Sequence, residues 1–241
     1  MLQPQNPVNG RLRDVPFLVL VVLVLVLSIA LLYSGSQAGQ GEGKQPSSQG
    51  DARVRVDFYG ESLCPDCRHM VLDVLKPMME DGFGDVMDLR YIAYGKVQKS
   101  VGGELHCQHG ELECLYNRYI NCAQEEGDLS KWMGYVECLA QDLGKLRKGT
   151  GVNECASSHG LSADALQKCA EGDKGAALEA NAGKETTSLN PKLNFVPWIV
   201  VNGAPIGADF ENLDRYVCVA LESEDARPNA CSSLPRGLGH Q

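Results

Sequence analysis

The pattern of apolar and polar positions predicts a strand, a helix and a second strand in the first half of the chain. Val54, Val56 and Phe58 alternate with polar residues, which is typical of a half-buried strand. The apolar spacing then becomes helical, and Pro77 is expected to kink or end that helix because proline lacks a backbone N–H. The segment "VMDLRYIAY" at 86–94 predicts the next strand. This order favours a parallel strand pair joined by a right-handed crossover.

A second run of apolar residues near the other end predicts two strands and a final helix. The segment 198–201 is strand-like, and Asn202-Gly203 is a strong signal for a two-residue hairpin. Asp209 is a favourable N-cap for the helix that follows. A strand–helix–strand unit followed by two strands and a helix, with Cys64-x-x-Cys67 opening the first helix, is the thioredoxin-like layout.

About 90 residues separate these two halves, and most of them are predicted to be helical. Apolar residues recur with helical spacing at 112–120 and again at 129–139, and Ser162 is expected to cap a short third helix. We therefore predict an α/β, thioredoxin-like fold with a large disulfide-stapled helical insertion. The folded domain is expected to span 53–222, with the insertion at 103–188.

The N-terminal part contains a run of 19 uncharged, mostly apolar residues at 15–33. As a helix this run would be about 28 Å long, close to the hydrocarbon thickness of a bilayer. Arg11 and Arg13 precede it, which predicts a cytosolic N-terminus at 1–14 and a translocated remainder. The run is either a signal-anchor, which leaves a single-pass type II membrane protein, or a signal peptide cleaved near 34–39, which leaves a secreted one.

Polar segments flank the predicted domain on both sides. Residues 34–52 are rich in Gly, Ser and Gln, which predicts a flexible linker that cannot bury a core. Residues 223–241 form a polar C-terminal tail with two prolines and two glycines.

The composition limits which cellular compartments and which classes of partner fit this chain. The chain contains 10 cysteines, which is typical of an oxidising lumen or the extracellular space. Its formal net charge of -9 argues against binding to nucleic acid. No nicotinamide or flavin fingerprint occurs in the sequence, so we expect no bound cofactor.

Cys64 and Cys67 form a dithiol motif at the predicted start of the first helix. Free backbone N–H groups and the positive end of the helix stabilise a thiolate there. Cys64 is therefore predicted to attack a substrate disulfide, and Cys67 to resolve the mixed disulfide. A zinc site would need a second pair of ligands, and a purely structural disulfide is uncommon at a strand-to-helix turn. We therefore favour redox chemistry and predict no metal.

Pro197 directly precedes the predicted strand at 198–201. The thioredoxin-like fold places a cis proline beside its dithiol at this point, whereas the alternative is a trans proline that opens an edge strand. With a cis bond, the Val196 backbone would be free to pair with an extended substrate segment. Val196 and Pro197 are therefore candidate substrate-binding residues.

The segment "CQHGELECLYNRYINC" at 107–122 carries the most specific pattern in the chain. It resembles the signature of the gamma-interferon-inducible lysosomal thiol reductase family. The matching fixed positions are Cys107, Gln108, His109, Gly110, Glu113, Cys114, Asn117 and Cys122. The dithiol lies upstream and the proline strand downstream, so the resemblance covers roughly residues 54–222.

This resemblance implies a reductase of disulfide-containing protein substrates in an acidic endolysosomal compartment. It makes Cys64 and Cys67 the redox pair, with a small thiol as the expected reductant. The signature is interpreted as structural: its cysteines would cross-link the insertion, and His109 with Glu113 would fix the turn into the helix. Because the chain lacks an Asn-x-Ser/Thr sequon, endolysosome or vacuole, secretory pathway and extracellular face all stay open.

Two other functions fit the same motifs. The domain could be a redox-inactive substrate-binding or chaperone module, or an oxidase or isomerase of the same fold. A cation between the two cysteines would favour an oxidant, and Pro65-Asp66 lacks one, so we favour the reductase.

In an acidic compartment, Cys64 needs a lowered pKa to be present as a thiolate. A thiol with an unperturbed pKa of about 8.5 would be only about 0.03% thiolate at pH 5. A pKa of about 6 would raise that fraction to roughly 10%. Asp66 is expected to oppose the thiolate because it adds a negative charge beside Cys64.

The eight cysteines outside the dithiol can form four bridges in 105 ways. Among these pairings, Cys218 with Cys231 is a candidate that would tie down part of the tail.

Overall fold

The computed structural model describes residues 53–221 and 228–233. The predicted segments 1–14, 15–33 and 34–52, and most of the tail, lie outside the described residues. Within the described part of the chain, no helix combines the length and apolar character needed to cross a membrane.

A four-stranded sheet in the order β2-β1-β5-β6 forms the centre of the domain. Strands β1 and β2 are parallel, and β5 runs antiparallel to β1 and is joined to β6 by the Asn202-Gly203 turn. The second sheet is a small hairpin of β3 and β4 that the sequence pattern did not predict. The strands are β1 (Val54–Gly60), β2 (Met87–Ala93), β3 (Gln98–Lys99), β4 (Leu105–His106), β5 (Trp198–Val201) and β6 (Ala204–Pro205).

The prediction of a parallel β1–β2 pair is confirmed, and β1 is more buried than its alternating pattern indicates. Six of its seven residues are buried, because β1 is a central strand with cover on both faces. Asp57, one of the polar positions in that pattern, is buried and accepts hydrogen bonds from Arg55 Nε at 3.1 Å and Arg90 Nε at 2.7 Å. These two guanidinium partners allow the carboxylate to stay inside.

The first helical segment begins directly after Cys64 and is continuous to residue 80. Helix α1 (Pro65–His69) leads into a π-helical stretch (Met70–Leu75) and then α2 (Lys76–Glu80). The N–H of Lys76 bonds the Val71 carbonyl five residues back, and Pro77 follows at once. The helical segment therefore continues past Pro77 for three residues. Its wider π-helical turn directly precedes Pro77, whose missing N–H interrupts the regular α-helical hydrogen bonds.

Six helices form the region between the two halves of the sheet. They are α3 (Glu111–Glu126), α4 (Leu129–Gln141), α5 (Leu143–Leu146), α6 (Val152–Ser158), α7 (Ala163–Ala170) and α8 (Asp173–Thr187). The predicted cap at Ser162 is confirmed, since its Oγ accepts the Ala165 N–H at 3.2 Å. The sequence of helix α8 shows no clear apolar periodicity, because its buried face consists of small or polar residues: Gly175, Glu179, Ala182, Gly183 and Thr186.

Four disulfides cross-link the described residues. Three lie in or beside the helical insertion, and the predicted Cys218–Cys231 bridge is confirmed. It joins the last helix, α9 (Leu213–Ala220), to the segment 228–233. The insertion bridges are Cys107–Cys114, Cys122–Cys169 and Cys138–Cys155.

The last helix begins later than predicted. A 3₁₀ turn (Phe210–Asn212) precedes α9, and the Asp209 side chain does not cap it. Instead, the Asp209 carboxylate accepts hydrogen bonds from Asn212 Nδ2 at 2.6 Å and from the Tyr216 hydroxyl at 2.8 Å.

The longest disulfide loop should contribute most to stability. Replacing Cys122 and Cys169, 47 residues apart, by Ala should lower the free energy of unfolding by about 4 kcal/mol, because the unfolded chain regains loop entropy. Removing the Cys107–Cys114 bridge, with a separation of 7, should cost about 2.5 kcal/mol.

Urea unfolding without reductant, in a background with Cys64 and Cys67 replaced by Ser, measures both values. A larger loss from the shorter loop would contradict the entropic account.

Candidate active site

The loop between β1 and α1 carries the two free cysteines of the described residues. Cys64 is the N-cap of α1 with an extended backbone, and Pro65 occupies the first helical position, where its missing N–H costs nothing. Cys64 is 6% exposed and Cys67 is 1% exposed. The first sulfur therefore lies at the mouth of the helix and the second lies beneath it.

The two thiols have opposite acidities. A hydrogen bond from the Cys67 thiol lowers the pKa of Cys64 to about 7, against the effect of burial, and the backbone N–H groups of Cys67 and Asp66 lower it further. Burial raises the pKa of Cys67 well above its ordinary value, and the hydrogen bond to Cys64 raises it again. A thiol that ionises readily therefore lies beside one that stays protonated.

Glu61 is the site residue that the sequence analysis missed. Its side chain is fully buried, and its backbone N–H donates to Cys67 Sγ at 3.4 Å. The charge of Glu61 raises the pKa of Cys64, whereas the Asp66 side chain is exposed to solvent. A buried carboxylate that the sequence pattern did not point to therefore opposes the thiolate.

Part of the family-like signature forms the turn into α3 and contacts Glu61. His109 donates its backbone N–H to Glu113 Oε1 at 3.0 Å, and its Nδ1 contacts Glu113 Oε2. Gly110 caps the helix at a φ of +96°, which favours glycine. The predicted role of His109 and Glu113 in fixing this turn agrees with these contacts. Gln108 is exposed at the start of the same turn.

The signature also contacts the loop that carries Cys64 and Cys67. Asn117 Oδ1 accepts the Ser62 N–H at 2.9 Å, and the Ser62 hydroxyl donates to the Glu113 carbonyl at 3.2 Å. Two residues before Cys64, the loop is thus held by the first two turns of α3. The signature cysteines are all disulfide-bonded: Cys107 with Cys114, and Cys122 with Cys169 outside the signature.

Val196 and Pro197 are buried at the start of β5, and the peptide bond between them is cis, as predicted. Trp198 pairs with Tyr59 in the antiparallel register, so Pro197 comes level with Gly60, where β1 leads into the cysteine loop. The fold therefore brings these two residues to the same end of the sheet as the dithiol.

Among the described residues, Glu61, His109 and Glu113 offer ligand atoms within 4.8 Å of one another. The Oε1 atom of each carboxylate already accepts a backbone N–H, from Lys96 at 2.6 Å and from His109 at 3.0 Å. Glu61 Oε2 is the buried oxygen without a partner, 3.6 Å from His109 Nδ1. These three side chains therefore form one polar cluster that contains an oxygen without a hydrogen-bond partner.

Comparison with known proteins gives a consistent result. A sequence profile described as gamma interferon inducible lysosomal thiol reductase matches residues 55–159, which include the dithiol and the signature. The mouse gamma-interferon-inducible lysosomal thiol reductase is 30% identical over 188 residues, covering 75% of this chain and 73% of that protein. The Arabidopsis thaliana gamma-interferon-responsive lysosomal thiol protein is 28% identical, covering 75% and 76%. A GILT-like protein of Caenorhabditis elegans is 30% identical, and the chain spans 57% of its length.

Solved structures agree on the fold. Oxidised BdbD from Bacillus subtilis matches with a TM-score of 0.54 at 16% identity, covering 73% of this chain and 91% of that one. Oxidised Mtb DsbA matches with a TM-score of 0.53 at 13% identity, covering 78% and 91%. The predicted thioredoxin-like fold is confirmed, and the chain belongs to the gamma-interferon-inducible lysosomal thiol reductase family.

Proposed function

We propose that the protein reduces disulfide bonds in protein substrates, with Cys64 as the attacking thiol and Cys67 as the resolving thiol. One observation carries this proposal: these two cysteines are free and adjacent, while the other eight are paired. The catalytic domain corresponds to 53–222, with the insertion at 103–188 as its support.

The reaction begins with the Cys64 thiolate. Its sulfur attacks one sulfur of the substrate disulfide, forming a mixed disulfide and releasing the other substrate sulfur as a thiolate, which takes up a proton. Because the pKa of Cys64 is about 7, about 1% of the molecules carry the thiolate at pH 5. That fraction exceeds by far what an ordinary thiol would provide.

Cys67 completes the transfer. It loses its proton and attacks Cys64 Sγ, which breaks the mixed disulfide and releases the second substrate thiol. Two electrons pass to the substrate, and the Cys64–Cys67 disulfide forms. Two molecules of a small thiol reductant would restore the dithiol and leave as one disulfide.

Val196 and Pro197 are the proposed substrate-binding residues. They lie level with the end of β1, beside the loop that holds Cys64, so an extended substrate segment could pair with the backbone there. Such pairing needs no particular substrate sequence, which suits a reductase of partly unfolded proteins.

The disulfides and the related proteins indicate an extracytosolic setting. We propose an endolysosomal or secretory compartment, reached through the apolar segment 15–33, which acts as signal-anchor or signal peptide.

Replacing each cysteine of the dithiol should give different failures. Cys64→Ser should reduce insulin-reducing turnover to the uncatalysed level, because no nucleophile is left. Cys67→Ser should still attack, so a mixed disulfide with substrate should accumulate and be detected by mass spectrometry under non-reducing conditions. Cys218→Ser/Cys231→Ser is the matched control and should retain turnover. Full turnover by Cys64→Ser would contradict the role proposed for Cys64, and a lack of turnover in the wild type would favour the redox-inactive binding module.

The reactivity of Cys64 should follow its lowered pKa. Alkylation of Cys64 by iodoacetamide should rise with pH around a midpoint of about 7. An unperturbed cysteine would show an alkylation midpoint at about pH 8.5. Mass spectrometry of the modified peptide separates Cys64 from the buried Cys67. A midpoint at the ordinary value would remove the thiolate argument.

Asn117 should matter for turnover beyond its effect on stability. Asn117→Ala leaves the partly buried Ser62 N–H without an acceptor, which should cost about 1 kcal/mol and loosen the loop before Cys64. Turnover per folded molecule should fall.

Asn121→Ala is the control, one helical turn along α3. Asn121 is buried and bonds the Ala93 backbone at 3.2 and 3.0 Å, away from the cysteine loop. It should lose similar stability but keep its turnover, as measured by thermal unfolding and insulin reduction. Equal losses of turnover in both variants would mean that the Ser62 contact has no special role.

A further inference from the structure

Glu61 lies in an unusual position for a charged group. Its side chain has no exposed surface, and it precedes Cys64 by three residues in the same loop. Its backbone N–H donates to Cys67 Sγ, so it is attached to the dithiol as well as adjacent to it in sequence. A buried ionised carboxylate is costly unless its oxygens are paired.

The pairing of Glu61 is incomplete. Oε1 accepts the Lys96 N–H, while Oε2 has no hydrogen-bond partner and lies 3.6 Å from His109 Nδ1. His109 is already bound to Glu113, which is also fully buried. Two buried carboxylates therefore compete for one imidazole, and an added proton is the simplest way to satisfy the free oxygen.

The charge of Glu61 and the charge of Cys64 are coupled. Burial raises the pKa of Glu61; the Lys96 N–H opposes this, Glu113 raises it further and His109 lowers it. A charged Glu61 in turn raises the pKa of Cys64. Two such sites titrate as a pair, so the proton on one favours the anion on the other.

We propose that Glu61 is a positioning residue that holds a proton under acidic conditions and loses it towards neutral pH, where its charge then opposes the Cys64 thiolate. This inference rests on the dithiol function proposed above. Acid withdraws thiolate from any cysteine, but here the same acid removes an opposing charge. Cys64 therefore loses less reactivity on acidification than a cysteine beside a neutral residue would.

Several other groups lie around Glu61 or in its loop. Lys96 donates its backbone N–H to Glu61, and the Arg147 guanidinium donates to the Leu63 carbonyl at 3.3 Å. Burial raises the pKa of Tyr91 well above its ordinary value, so it stays neutral. His109 and Glu113 are the other members of the cluster that faces Glu61.

Glu61→Gln fixes the neutral state in a side chain of the same shape. The ratio of Cys64 alkylation rates, variant to wild type, should be near one at pH 4.5, where wild-type Glu61 is already neutral. It should rise to about threefold at pH 6.5, which corresponds to about half a pKa unit. Iodoacetamide labelling followed by mass spectrometry gives both rates without requiring turnover.

Asp66→Asn is the matched control, since it removes the same charge from the exposed first turn of α1. Its ratio should stay below about twofold at every pH, because water and salt screen an exposed charge. A pH-independent ratio for Glu61→Gln, or the larger effect in Asp66→Asn, would overturn the proposal.

If Glu61→Gln does not fold, the wild-type profile decides. Between pH 4.5 and 6.5 the logarithm of its alkylation rate should rise less steeply than a single titration with a midpoint of about 7 gives, because the two sites are coupled. A profile that follows the single titration throughout would overturn the inference and leave the proposed function intact. A Cys64 that is not alkylated at any pH would overturn both.

Discussion

The site depends on stabilisation of the Cys64 thiolate. A thiol donor from Cys67 and two backbone N–H groups at the start of α1 face that sulfur, so its anion forms near neutral pH. These donors are in place only because Pro65 starts the helix directly after Cys64 and because Cys67 is buried one turn later. The same burial raises the pKa of Cys67 well above its ordinary value. The acidities of the two thiols thus differ because of their environments and not because of residue type.

The helical insertion supports this arrangement. The first two turns of α3 hold the cysteine loop through Asn117 and the Glu113 carbonyl, while the Glu113 carboxylate binds His109 beside Glu61. The bridge Cys122–Cys169 ties the far end of α3 to α7. The signature therefore does more than supply disulfide-bonded cysteines. Its helix also forms hydrogen bonds to the loop that precedes Cys64. This gives a physical reason for the fixed spacing of Glu113 and Asn117, one helical turn apart.

A partly buried charge network lies on the opposite face of the sheet. Arg90 of β2 bonds Asp57 of β1 and Glu185 of α8, and the Tyr59 hydroxyl donates to Glu185 at 3.1 Å. These contacts attach α8, whose apolar face is weak, to the central strands. The sheet is therefore covered by two different kinds of contact: apolar packing on the side of α1, and ion pairs combined with a small aromatic cluster on the side of α8.

The sequence by itself determined the strand order around the dithiol, the hairpin at Asn202-Gly203, the proline before β5 and the family signature, because each depends on residues close together in the chain. Periodicity also located α3 and α4, whose apolar faces are strong, but not α8, whose buried face is made of glycine, alanine and polar residues. Only the tertiary structure decided that β1 is covered on both faces, how the cysteines of the insertion pair, and that the Glu61 side chain is buried beside the dithiol. Those features depend on packing between separate elements, such as α3 against the cysteine loop, which no local pattern in the sequence specifies.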